Sequence, residues 1–134
     1  MTGLVLKLGP HERVLINGTV IENGDKRTRF AILTPQANIL RLRDAIAPGA
    51  ATTPVSRVCY IAQLILTGDV DLALAKQQLL RGIEQLSQAL CDADSRSQLD
   101  AATAAVREED YYRAFKRLRA LLPREERLLA VRPS

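Results

Sequence analysis

The chain reads as an α+β protein: a small N-terminal antiparallel β domain followed by a C-terminal helical domain of about four helices. Two observations carry that reading. Apolar residues near the N-terminus alternate with a period of two, as half-buried strands require, whereas from Pro54 onward they recur every three or four residues. Between the two patterns lies "AIAPGAATT", a run of small residues with Pro48 and Gly49 that suits a connector. The expected division is a β domain over 1–45, a linker over 46–53 and helices over 54–134. A length of 134 residues leaves room for one domain, or for one small domain with an appended element.

The strands follow in order. Leu4, Leu6 and Leu8 alternate with Val5 and Lys7, and Gly9-Pro10 signals a turn. "RVLINGTVI" is rich in β-branched residues, with Val14, Ile16 and Val20 on one face and Gly18 marking a bulge or bend. "ENGD" is expected to reverse the chain into a hairpin. On the returning strand Thr28, Phe30 and Ile32 share one face, with Phe30 pointing inward, and Arg27, Arg29 and Ala31 share the other. After Thr34-Pro35, "NILRLRD" begins another strand that places Ile39, Arg41 and Arg43 on one side.

The helices are marked by their ends. Thr53-Pro54 opens the first, which turns Val55, Val58, Cys59, Ile61, Ala62, Ile65 and Leu66 inward and stops near Gly68. Asp69 is expected to cap a second helix through Leu90, and Asp94 or Ser95 a third. Asp110 opens a fourth, "DYYRAFKRLRALL", with Pro123 as its stop, and "REERLLAVRPS" adds a short turn. In the second helix Leu72, Leu79, Ile83, Leu86 and Leu90 form a narrow stripe. It has two readings. One is packing within the chain; the other is a partner seam through Leu79, Ile83, Leu86 and Leu90, flanked by the uncharged Gln77, Gln78, Gln85 and Gln88.

Charge is uneven. The net charge is +4 and the isoelectric point about 9.4. Residues 1–45 carry Lys7, Arg13, Lys26, Arg27, Arg29, Arg41 and Arg43 against Glu12, Glu22, Asp25 and Asp44, so nearly the whole excess is N-terminal. An anionic partner for that segment is one reading and a wet sheet face the other. Aromatic residues make up only 4% of the chain, too few for a base-stacking platform, so nucleic-acid contacts would fall to arginines and backbone groups.

Catalytic and metal chemistry find no constellation. His11 is the one histidine and sits in a predicted turn; Cys59 and Cys91 are far apart, and Cys59 falls in an apolar run that suits burial. No phosphate-binding glycine loop is present. The chain therefore reads as non-catalytic, without metal or cofactor. No apolar run approaches the roughly 18 residues that span a bilayer, and the N-terminus lacks a signal-peptide pattern, so a cytoplasmic protein is expected.

The runs "LINGTVIENGDKRTRFAILTPQANILRLRDAI", "TTPVSRVCYIAQLIL" and "LLRGIEQLSQAL" resemble the flagellum biosynthesis repressor FlbT family over nearly the whole chain. That resemblance implies a cytoplasmic post-transcriptional regulator of flagellin. Such a protein acts on the 5′ untranslated region of flagellin mRNA, controls its stability or translation, and works alongside FlaF. "TVIENGDKRTRFAILTP" is also similar to the central hairpin of the carbon storage regulator CsrA, and "RDAI" to its Arg-Glu-x-Ile ending. This second resemblance implies an RNA surface that includes Arg43 and oligomerisation through the β domain. The chain has Leu8 and Gly9 where CsrA has two arginines.

The leading expectation is thus an RNA-binding regulator with Arg43, Arg41, Lys7, Arg29, Arg27 and Lys26 as contacts, assembling as a homo-oligomer and not at a membrane. The competing one is an adaptor or chaperone-like module that binds flagellin or FlaF through the helical domain without touching RNA.

Overall fold

The computed structural model describes residues 4–130, in which five strands precede five helices. Strands β1 (Leu4–Leu8), β2 (Arg13–Ile16), β3 (Thr19–Glu22), β4 (Thr28–Ile32) and β5 (Ile39–Arg41) form two small antiparallel sheets. One is the ribbon β1-β4; the other has the order β3-β2-β5. Helices α1 (Pro54–Thr67), α2 (Leu72–Ala89), α3 (Ala93–Arg107), α4 (Tyr111–Arg119) and α5 (Leu122–Ala130) follow. The α+β class and the order of its parts agree with the sequence pattern.

The chain reversals differ from expectation. The tight hairpin is at Asn17-Gly18, where both residues take positive φ (47° and 82°), the conformation a two-residue primed turn demands. The second Asn-Gly, at Asn23-Gly24, makes no hairpin, because β3 pairs with β2 and β4 pairs with β1. The segment that resembles a CsrA hairpin is therefore not one here. Instead Asn23 is buried and donates its Nδ2 protons to the carbonyls of Leu8, Gly9 and Lys26, at 3.2, 2.8 and 2.9 Å. Its backbone N–H donates to Glu12 O, and the His11 N–H to Gly24 O. These bonds stitch the β3–β4 crossing onto the β1–β2 turn.

Phe30 is also corrected. It shares a face with Leu6 and Ile32, but of these only Leu6 is fully buried, and Phe30 is 38% exposed. Leu6 and Leu8 are buried, so the ribbon is anchored through β1. Leu6, Leu8, Val14, Ile39 and Leu40 join helical residues such as Cys59, Leu79, Leu99 and Phe115 in one cluster.

Helix ends follow capping chemistry. Thr53 and Ser56 form a capping box at α1, Pro54 takes the first helical position, and Gly68 closes the helix in the left-handed conformation (φ 80°). The caps of α2 and α3 are shifted by two residues or so. Asp71, not Asp69, accepts the Leu74 N–H; Asp69 is engaged by the Thr67 hydroxyl instead. Asp92 caps α3 by accepting the Ser95 N–H, leaving Asp94 inside the first turn, where its charge suits the helix dipole. Asp110 caps α4 as expected. Pro123 stands in the first turn of α5, where a missing N–H costs little, so it opens a helix beyond α4.

Helix α1 is the hub. Its N-terminus takes a second cap from α5: Glu125, buried, accepts the Val55 N–H at 2.7 Å and the Thr53 hydroxyl. Midway, Gln63 accepts the Ile46 N–H at 2.7 Å and donates to Ile46 O at 2.9 Å, fastening the connector to the helix. Arg119 of α4 reaches Asp44 at 3.1 Å. Where α2 crosses α1, a Cβ on Gly82 would lie 2.8 Å from Val58 Cγ2. The Leu79–Leu90 stripe packs here, and only Leu72, 47% exposed, falls outside it.

Glu12, in the β1–β2 turn, ties the sheets together electrostatically. It accepts the Gly9 N–H at 3.0 Å and pairs with Arg41 Nη1 at 3.0 Å; Arg43 Nε lies at 3.5 Å. Burial works against its charged form. The Gly9 hydrogen bond and the Arg41 and Arg43 charges outweigh that and hold its pKa below the ordinary 4.5.

Two expectations follow. Gly82→Ala destabilises by about 1–2 kcal/mol, because overpacking against the stiff Val58 exceeds the gain in helix propensity; thermal unfolding measures it. A carboxylate whose folded pKa is depressed stabilises above its ordinary pKa and loses that stabilisation as pH falls through the folded value. Wild type therefore exceeds Glu12→Gln in urea midpoint near neutrality, and the gap closes as pH drops below 4.5. A gap that persists in acid contradicts the assignment.

Candidate nucleic-acid interface

The β1-β4 register places Lys7 directly opposite Arg29, and Val5 opposite Ala31, on the exposed face of the ribbon. Lys26 and Arg27 are exposed immediately before β4. None of these four cations joins an ion pair among the described residues. Like charges facing across a ladder repel, so this arrangement costs stability that an anion between them would recover. Lys7 and Arg29, distant in sequence, thus meet on one pleated surface because the ribbon pairs the first strand with the fourth.

The other two expected contacts separate from this group. Arg41 is drawn into the Glu12 pair and its side chain is only 14% exposed, next to the buried Tyr112. Its charge is engaged within the fold rather than presented to solvent. Arg43 lies just past β5, at the end of the other sheet; it is exposed, with Glu12 3.5 Å away. Arg13 is neutralised by Glu22 at 2.7 Å across the β2-β3 ladder. Burial pushes the Tyr112 phenol above its ordinary pKa of 10, an effect the Arg41 charge opposes.

The helical stripe resolves toward packing. Leu79, Ile83, Leu86 and Leu90 are all buried in the intramolecular core, and as folded they offer no surface to a partner. Burial likewise pushes the Cys59 thiol up to about 12, so it is an inert core residue, while Cys91 is exposed. Among the described residues no three His, Cys, Asp or Glu side chains gather as a metal site, and no helix is long and apolar enough to cross a membrane.

A feature absent from the sequence reading is a groove of about 700 Å³ between the β4–β5 loop and α4. Leu4, Ile32, Leu33 and Pro35 supply one wall, and Arg113, Lys116 and Arg117 the other. Those three cations fall at i, i+3 and i+4, one face of a helix.

Comparison with known proteins identifies a family for the chain. A family profile described as "Flagellar protein FlbT" matches residues 4–129, β1 into α5. A probable flagellum biosynthesis repressor protein FlbT of Rhodopseudomonas palustris (strain TIE-1) is 35% identical over 129 residues, covering 95% of this chain and 98% of that protein. A probable flagellum biosynthesis repressor protein FlbT 1 of Bradyrhizobium diazoefficiens is 30% identical over 93% of this chain and 84% of its own length. The flagellum biosynthesis repressor protein FlbT of Caulobacter vibrioides (strain ATCC 19089 / CIP 103742 / CB 15) is 25% identical over 94% and 89%. No solved structure matches. With the profile spanning every strand and helix, the chain belongs to the FlbT family of flagellar proteins.

Proposed function

We propose that the protein is a non-catalytic, cytoplasmic regulator of flagellin synthesis that binds the 5′ untranslated region of flagellin mRNA and controls its stability or translation. The observation that carries this reading is the facing pair Lys7 and Arg29, which joins no ion pair among the described residues, with Arg27 and Lys26 exposed just before β4. The relatives' description as flagellum biosynthesis repressors supports the regulatory part.

Phosphates bridging the two strands relieve the repulsion and release counterions, and the arginine fork supplies paired hydrogen bonds. The face offers no aromatic ring for stacking, so charge and backbone geometry dominate recognition. Arg43 is a secondary contact. Homo-oligomerisation through the β portion fits the exposed Val20 and Ile21 on β3, whose outer edge no other strand covers among the described residues.

The second reading, an adaptor for FlaF or flagellin acting through the helical portion, now rests on the groove against α4 rather than on the buried stripe. FlaF or flagellin that co-purifies after ribonuclease treatment supports it; loss of the complex on treatment counts against it.

Gel-shift titration against a flagellin leader RNA tests the first reading. Four cations on single-stranded RNA give a log–log salt slope of about −3, and Lys7→Ala/Arg29→Ala reduces its magnitude by about 1.4. The same double variant weakens binding at low salt about tenfold or more. Arg41→Ala chiefly lowers the unfolding midpoint. Wild-type affinity in the Lys7/Arg29 variant refutes the ribbon as the RNA surface.

A further inference from the structure

We infer that the groove between the β4–β5 loop and α4 is a docking site for an acidic protein segment carrying large apolar side chains. The inference deepens the adaptor reading by naming the chemistry of the partner, and it does not depend on RNA binding.

The groove has two unlike walls. The apolar one contains Leu33, at 79% the most exposed of the large hydrophobic residues among those described, with Leu4 and Pro35 beside it. Scattered exposed leucines need no explanation, but these lie together in a concavity of about 700 Å³, a size typical of ligand sites. The opposite wall is cationic. Lys116 sits 5.3 Å from the Tyr112 ring centroid, and Arg117 Nη1 donates to Gln98 Oε1 at 3.4 Å. Neither joins an ion pair among the described residues. Arg113 has only the exposed Glu108, 3.8 Å away. The groove's own carboxylate, Asp110, is occupied in capping α4, accepting the Arg113 N–H at 3.1 Å.

Cations in the last turn of a helix also serve its dipole, which accounts for the charge of Lys116 and Arg117. It does not account for the apolar wall facing them. A partner that satisfies both walls needs carboxylates on one side and large apolar side chains on the other. Nucleic acid meets only the first requirement: Tyr112, the groove's aromatic residue, is buried and presents no stacking surface. Strand alternation separates this site from the basic ribbon face, since Leu4 and Ile32 point away from Lys7 and Arg29. The two surfaces can therefore be disabled independently.

Selection of a random short-peptide display library on the intact protein, followed by fluorescence anisotropy of the enriched peptides, tests the site. Enriched sequences are expected to combine Asp or Glu with Leu, Ile or Phe. Their affinity is expected to fall about tenfold or more in Lys116→Glu/Arg117→Glu and in Leu33→Asp, all surface changes, and to hold in Lys7→Ala/Arg29→Ala. Circular dichroism confirms that each variant is folded. The inference is overturned if selection enriches no acidic sequences, or if enriched peptides bind the groove variants as wild type does. It is equally overturned if the groove variants, and not the ribbon variants, abolish binding of flagellin leader RNA. Failure here with ribonuclease-resistant FlaF capture intact would displace the site while leaving the adaptor reading standing.

Discussion

Helix α1 is held by groups from distant parts of the chain, at its first turn, at Val58 and at Gln63, and it packs against α2, α4, α5 and β5. Its first turn exposes N–H groups that no residue of its own can fully satisfy. Glu125 arrives from α5 to accept one of them, so the last helix is fixed by the electrostatic need of the first. Gln63 satisfies both backbone groups of Ile46 and thereby sets where the strands meet the helices. The small Gly82 lets α2 approach closely enough to bury the stripe. Groove and ribbon inherit their placement from these contacts.

Within that frame the basic residues divide by partner, not by type. Arg41, Arg119 and Arg13 each have a carboxylate near 3 Å or closer and act as fasteners. Lys7, Arg29, Lys26 and Arg27 have none among the described residues and remain available. A surplus of positive charge in the first third of the chain says that something anionic is favoured there. The fold decides which of those charges is free to meet it.

What could be read beforehand follows the range of the interactions involved. Helix existence and the α1 boundaries were legible because a capping threonine, a first-turn proline and a C-terminal glycine act within one turn. The caps of α2 and α3 slipped because several Asp and Ser residues compete over a few positions, and backbone dihedrals choose among them. The hairpin was expected at Asn23-Gly24 and only a bulge or bend at Gly18; yet Asn17-Gly18 is the pair that adopts positive φ, while Asn23 serves a long-range polar cluster. Arg41 could not be separated from Arg43 without its partner Glu12, 29 residues away. The groove was illegible for the same reason: its walls come from a loop and a helix that meet only after α4 packs on α1.

The ribbon has one further property. Strand β4 contributes only Ile32 to packing against the core, so it hangs on β1 chiefly through backbone hydrogen bonds. Two-stranded ribbons are marginal on their own. Anything that grips Lys7 and Arg29 at once clamps the loosely held strand to the anchored one, and so acts as a cross-link. Part of its binding free energy then appears as local folding, with amide protection of β4 as the visible sign of occupancy.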